Sequence, residues 1–348
     1  MKTSLLDCLR DLLTAAALAL ADPRPRRKFV QLGLGLLCGQ KPKTITSALE
    51  WLDQRQQDWS ADYRLFSQAH WEAQAAFAPV LTQALSHSSC GTQRVYFGQD
   101  DTLLRKASRK IPGTTYARDP LSPPFQVNLV LGQRFVQTSL LLQPGGAEHP
   151  WRALPVSFTH APTPKIPKRA SPEEQAALKE VRKKHRLSLV ALEQLQFCRR
   201  YLDSQPGGHQ RWLMDVVDGG YSNRTFFAGL PERTQVVARV RKDAKFRTYL
   251  PPDQRQGARK YGPNLPTPLA YLQDPDLPWQ SMNVFVAGKL RTLHYKEVPR
   301  LCWPRVTQDR QLRLIVIKAP GYRLRQGSKL LYREPAFLIT TDLTTPAT

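Results

Sequence analysis

The sequence predicts a mixed α+β protein, with a helical N-terminal part, a mixed central sheet and a β-rich C-terminal part. Three observations carry this. Leu5, Leu6, Leu9, Leu12 and Leu13 recur at helical spacing. Trp212 to Val217 is an apolar run broken only by Asp215 and stopped at Asp218-Gly219-Gly220, the pattern of a largely buried strand closed by a turn. From residue 283 onward, short apolar runs recur between turn residues, as successive strands do.

Composition bounds the function. A chain of 348 residues can hold two or three domains, each with its own core. Lys and Arg number 51 against 28 Asp and Glu, a net charge of +23, which argues for a polyanionic partner, nucleic acid before membrane. Cys8, Cys38, Cys90, Cys198 and Cys302 are scattered, so neither a disulfide framework nor a zinc site is expected, and a reducing compartment is. The apolar run Leu12 to Ala21 is too short to span a bilayer. Asp7, Arg10 and Asp11 precede it, unlike a signal peptide. No Ser/His or Cys/His constellation and no glycine-rich phosphate loop stand out, and no small-molecule substrate is expected.

In chain order, residues 1–90 read as helices. The first is stopped by Asp22-Pro23, Arg24 to Lys28 form a basic linker, and helices follow over Phe29 to Cys38, Thr44 to Leu52 and Asp62 to Leu85. Val95 to Gln99 is a strand ending in Asp100-Asp101-Thr102, with Lys106 beyond it. Pro123 to Leu131 and Arg134 to Leu142 read as a hairpin about Gly132-Gln133. After a proline-rich connection, Glu173 to Leu202 reads as one helix, with Ser171 as cap, Pro172 in the first turn and Glu173-Glu174 at the positive end of the dipole. Its Lys179, Arg182, Lys183, Lys184 and Arg186 form either a solvated face or a DNA-backbone contact. Ser222 or Asn223 caps a short helix from Arg224 to Leu230. The strand Gln235 to Val240 then emerges into Arg239, Arg241 and Lys242. Pro251 to Pro278 is loop-rich. Strands are expected over Asn283 to Val286, Leu290 to Tyr295, Leu312 to Lys318, Leu330 to Tyr332 and Phe337 to Thr341. Between Lys289 and Arg333, twelve Lys or Arg face only Glu297 and Asp309, a phosphate-tracking composition in which Arg291, Arg300, Arg305 and Arg313 are candidate contacts.

Taken alone, Asp218 is a turn aspartate. Paired with the carboxylates that close the Val95 strand, it gains a partner. The triplet Asp100-Asp101-Thr102 and the block DGGYSN (218–223), followed by VVARVRKDA, resemble the DDE transposases of bacterial insertion sequences over most of the chain. The resemblance implies a ribonuclease-H-like catalytic core at 91–245. It also implies a helical DNA-binding domain at 1–90 that contacts transposon ends, with Arg24, Arg26, Arg27 and Lys28 as phosphate ligands. A β-rich basic insertion at 246–348 would approach the DNA. The family pattern, an aspartate two residues before Thr or Ser, favours Asp100 over Asp101 as the first metal ligand; strand parity in the sequence leaves both open. Asp100 and Asp218 would hold Mg²⁺ or Mn²⁺, hard cations suited to oxygen ligands. Lys106, Arg239, Arg241 and Lys242 would contact DNA.

The implied activity is hydrolysis at a transposon end followed by strand transfer. The partners would be double-stranded DNA, as terminal inverted repeats and target, and a second copy in a homodimer, with no membrane and a cytoplasmic, nucleoid location. The family's third carboxylate, a glutamate in a Tyr-x2-Arg-x3-Glu-x6-Lys pattern, has no match here. The expectation is a chain that stops before that helix, binds DNA and cleaves poorly, with Glu334 or Asp342 as substitutes if it does cleave. The alternatives are a DNA-binding remnant that regulates transposition and a structure-selective nuclease.

Overall fold

The computed structural model describes residues 4–40, 43–68, 71–87, 90–119, 121–123, 125–145, 149–255, 257, 260–286, 288–325 and 327–345. Two compact units divide the chain: residues 1–87 with 156–158, and residues 88–155 with 159–348.

The first unit carries α1 (Leu5–Ala17), α2 (Arg26–Cys38), α3 (Ile45–Trp51), α4 (Ser60–Ser67) and α5 (Ala73–Ser86). Leu20, Leu32, Ala48, Leu49 and Leu65 form its core, with Phe29, Trp59 and Trp71 packed against them. The segment read as a basic linker is instead partly helical, because Arg26 opens α2 directly after Pro25. Its cations are engaged locally. Arg24 pairs with Asp22 at 2.6 Å, Arg26 Nε donates to Leu20 O at 2.9 Å, and Lys28 meets the buried Asp62 at 2.9 Å, while Arg27 is exposed. The helix expected over 62–85 is two helices, α4 and α5.

The second unit is built on β1 (Arg94–Arg105), β2 (Thr115–Arg118), β3 (Leu129–Leu142), β4 (Arg152–His160), α6 (Pro172–Lys184), α7 (Leu187–Asp203), β5 (Trp212–Val217), α8 (Arg224–Ala228) and β6 (Thr234–Arg239). It continues through β7 (Arg247–Tyr249), β8 (Tyr261–Asn264), α9 (Pro268–Gln273), β9 (Gln280–Val286), β10 (Lys289–Cys302), β11 (Leu312–Ile317), β12 (Gly321–Tyr322), β13 (Leu331–Tyr332) and β14 (Ala336–Thr340). Among the described residues, twelve strands share one sheet in the order β2-β3-β1-β5-β6-β14-β11-β10-β7-β8, with β4 beside β3 and β9 beside β10. β1 is antiparallel to β3 and parallel to β5, and β5 is parallel to β6. Antiparallel strands meeting a parallel pair in this order make the ribonuclease-H-like arrangement that the resemblance implied. Six of the strands after residue 246 extend the same sheet, because β14 pairs with β6, while β12 and β13 pair with each other apart from it.

The core lies where α7 covers the sheet. Ala191, Leu195, Cys198 and Leu202 of α7 and Val95, Phe97, Val136, Leu140, Leu213 and Val236 of the strands are fully enclosed. Gln194 and Gln99 bridge the two layers. Gln99 Nε2 donates to Thr138 Oγ1 (2.9 Å) and Ala191 O (2.8 Å), and Thr138 Oγ1 donates to Gln194 Oε1 (2.7 Å).

No reversal occurs at Gly132-Gln133. Gly132 pairs with Arg105 on one side and Thr115 on the other, inside a continuous β3. A Cβ there would stand 2.7 Å from Leu104 O, so the glycine serves close strand approach instead of a turn. The reversal lies between β2 and β3. The helix expected over 173–202 is broken at His185-Arg186, where Arg186 is extended (ψ 136°). Ser171 caps α6 as expected, and the Glu174 side chain reaches back to its amide to complete a capping box.

Candidate active site

Alternation along β1 and β5 decides which carboxylates meet. Val95, Phe97 and Gln99 are buried, and Gln99 reaches α7, so Tyr96, Gly98 and Asp100 belong to the opposite face. On β5, Leu213, Asp215 and Val217 are buried while Trp212 and Val216 are exposed. Asp218, still extended at φ −75°, ψ 170°, continues the exposed set. Gln99 stands opposite Val217 in parallel register, so Asp100 and Asp218 are the next residues on neighbouring strands. At ordinary strand spacing their Cα atoms would stand about 5 Å apart, on one face of the sheet and level with the C-terminal end of β5. Asp101 lies on the other face, where Arg134 Nε of β3 holds its Oδ2 at 2.8 Å. Of the two aspartates that the sequence left open, Asp100 is the one on the face of Asp218. Both aspartates lie within β1, which runs on to Arg105, instead of just past its end.

Electrostatics agree with the geometry. Asp100 reaches solvent, yet partial burial raises its carboxyl above the usual range, and the charges of Asp101 and Asp218 push the same way. Its Oδ1 accepts from Asp101 N at 2.8 Å. Tyr221, on the 3₁₀ turn Gly219–Tyr221 after Asp218, is buried, and its phenol is raised by that burial and then by the Asp101 and Asp100 carboxylates. Asn223, not Ser222, caps α8, with Oδ1 accepting from Phe226 N at 3.2 Å. Ser222 Oγ instead donates to Arg239 O at 2.7 Å and ties the turn to β6.

Arg239, Arg241 and Lys242 are exposed at the C-terminal end of β6, the strand next to Asp218. Arg241 is doubly bonded to Asp243, each contact at 3.0 Å. Lys106 is six residues beyond Asp100 along the extended β1, about 20 Å away, with its amide bonded to Leu131 O. Arg300 sits exposed at a bulge in β10 with φ 56°. Arg305 joins Arg241, Lys245 and Arg247 around a cavity of about 550 Å³ floored by Phe246 and Trp303. Trp303 is partly buried and meets Phe246 edge-on (centroids 5.5 Å), so it packs and lines the cavity at once. Arg291, with Lys289, His294 and Lys318, lines a second cationic hollow. Arg313 is a correction. It is 9% exposed in β11 with its guanidinium 3.6 Å from Glu297, so phosphate cannot reach it as it stands.

The two substitute carboxylates also separate. Asp342 is buried, bonded by Thr344 and Thr345 and 3.9 Å from Arg94, the first residue of β1. That is the end of the sheet remote from Asp100, which removes Asp342. Glu334 is exposed two residues before β14, whose Phe337 O accepts from Val240 N at the C-terminal end of β6. Glu334 therefore shares the edge of Asp218, two strands away. Among the described residues no group of three or more His, Cys, Asp or Glu side chains is arranged to hold a metal.

The donor set fits a hard cation. Two adjacent carboxylates, open to solvent, offer oxygens only, and a divalent ion would offset both the burial that raises Asp100 and the lesser repulsion that adds to it. Arg134 and Tyr221 were not singled out from sequence. Arg134 was hidden by the supposed hairpin, and Tyr221 lay inside the DGGYSN block with no partner to suggest a role.

No curated protein matches the sequence. One family model, described as DDE superfamily endonuclease, matches residues 18–310, which covers both candidate aspartates and most of the chain. The chain belongs to the DDE superfamily endonucleases.

Proposed function

We propose that the chain is a DNA transposase, cutting a phosphodiester at the ends of an insertion element and joining the freed 3′-hydroxyl to target DNA. The observation that carries this is the adjacency of Asp100 and Asp218 on parallel strands, facing one way, inside a family of DNA endonucleases. These two residues would hold Mg²⁺ or Mn²⁺. When bound, the ions supply activation of the attacking hydroxyl and charge neutralisation at the leaving oxygen. The protein's own part is placement. Arg239, at the end of the strand beside Asp218, and Lys242 just past it draw the scissile phosphate to the pair, and Arg300 and Arg305 track the flanking backbone. Arg134 holds Asp101 on the opposite face, so it does not compete with Asp100. No small-molecule substrate enters this scheme, and no helix among the described residues is long and apolar enough to cross a membrane.

The test is incubation of the full chain with Mg²⁺ and DNA carrying the terminal repeats that flank its gene. Strand-transfer products, reduced at least about a thousandfold in Asp100→Asn and Asp218→Asn, are the expected result. Hydrolysis without transfer would favour a nuclease, and tight end binding without cleavage a regulatory remnant. Undiminished transfer by either variant would remove these aspartates from the chemistry.

A further inference from the structure

A two-stranded ribbon leaves the sheet on the side of the acidic pair. Among the described residues β9 pairs with β10 alone, from Gln280 opposite Tyr295 to Val286 opposite Lys289. β11 joins β10 at Tyr295 and not before, so residues 281–294 stand free, with Gly288 at φ 78° in the turn. The register fixes where the ribbon emerges. Val217 pairs with Ala238, Arg239 with Leu338, Leu338 with Ile315 and Ile315 with Glu297, so Asp218 and Glu297 lie in one row across the sheet. β10 runs antiparallel to β6 in this row, so its residues before Glu297 project past the same end as Asp218. At ordinary strand dimensions the ribbon stands about 20 Å to the side of Asp218 and reaches about 25 Å beyond the row.

Pairing also sorts the side chains. Asn283 faces Thr292 and Ser281 faces His294, so these four share one side of the ribbon, and all are exposed. Thr292 Oγ1 donates to Asn283 Oδ1 at 2.9 Å, which holds the carboxamide in place and leaves its NH₂ to donate and a second lone pair to accept. Lys289 and Arg291 alternate to the other side and, with Lys318, rim the hollow of about 510 Å³ beside β10. No Asp or Glu occurs in residues 280–296 or 310–333, so the whole projection suits a polyanion.

We propose that the β9–β10 ribbon enters the major groove of a DNA duplex, where Asn283 reads an adenine while Lys289 and Arg291 bind the flanking phosphates. This rests on the transposase reading and names the element that selects the ends. A two-stranded ribbon fits the major groove, and a carboxamide offers the acceptor and donor that adenine N6 and N7 require. The offset from Asp218 puts the base pairs that are read within about one helical turn of the scissile phosphate. The two cations supply affinity without sequence information.

The test is fluorescence anisotropy of the full chain, across a salt series, on the terminal-repeat duplex and on a scrambled duplex of equal length and composition. N283A should bind the repeat about tenfold more weakly and the scrambled duplex as before, with T292V changing the same preference in the same sense by less. The double variant K289A/R291A should weaken both duplexes alike and lower the salt slope by about two. Asn283 is exposed, so N283A should unfold at the wild-type temperature. Undiminished preference for the repeat in N283A would overturn the proposal, and so would a loss on both duplexes together with a lowered unfolding temperature, the mark of a structural amide. An unchanged slope in the double variant would overturn it too and leave the hollow to an acidic protein. A wild type that binds both duplexes alike would remove end recognition, and with it the transposase reading, which separates that failure from a failure of the ribbon alone.

Discussion

Asp215 is the residue whose chemistry is most at odds with its surroundings. It lies on β5 between Phe97 and Val236, is fully buried, and neither carboxylate oxygen has a hydrogen-bond partner among the described residues. Burial pushes its carboxyl well above the ordinary value; the Val216 amide pulls the other way more weakly. A raised native value means that the folded chain keeps a proton that the unfolded chain releases near the usual carboxylate range. The contribution to stability is therefore complete below that range and is lost as pH rises toward the native value. Urea unfolding of the wild type should show stability falling with pH above the carboxylate range, and Asp215→Asn should flatten that fall. Parallel curves would show that Asp215 ionises freely in the fold. In the sequence this aspartate was visible only as a break in an apolar run, while Asp218 three residues later drew the functional reading. The difference between them is one of face, which a single strand cannot reveal until its neighbours fix the register.

At the level of elements, Lys296 of β10 shows how a buried charge is accommodated. It is 1% exposed, and its Nζ donates to Tyr271 O (3.1 Å), Leu272 O (3.3 Å) and Asp274 O (2.5 Å) at the C-terminal end of α9, with the Trp279 ring 4.6 Å away. The ammonium meets the carbonyls a helix end leaves unpaired and the face of an aromatic quadrupole. Lys296→Met should free those carbonyls and cost about 1–3 kcal/mol, read as faster amide exchange confined to residues 268–274; no local change would place the anchor of α9 elsewhere. None of this was legible, because Pro251 to Pro278 reads as loop and hides β8 and α9, whose residues touch partners far along the chain. The same limit explains the two misread elements. Gly132 looks like a turn glycine until strands on both sides demand close approach. The 173–202 helix looks continuous because no Gly or Pro interrupts it. Yet α6 buries no residue and α7 buries Val190, Leu195, Cys198 and Leu202, so the chain bends where a solvent helix becomes a core helix. What the sequence did carry were locally encoded features: the Ser171 cap, the strand before Asp218, and the five C-terminal strands.

On the scale of the whole molecule, the proposed function predicts that the excess of 51 Lys and Arg over 28 Asp and Glu acts through salt-dependent contact with DNA. Arg291, Arg300 and Arg305 stand on or beside β10, within the same sheet as the acidic pair. Replacing these three with Ala should lower the slope of log affinity against log salt by about one for each phosphate that is no longer neutralised, while Arg313→Ala should act on stability through Glu297 instead. A slope unchanged in the triple variant would take DNA away from this face. The central claim is narrower: Asp100 and Asp218, and not Asp101, form the metal-holding pair. Its most direct measurement is anomalous scattering from a crystal of the full chain soaked with Mn²⁺. The account predicts a manganese peak within coordination distance of both Asp100 and Asp218, with Asp101 still on Arg134. A peak held by Asp101, or one away from Asp218, would contradict it.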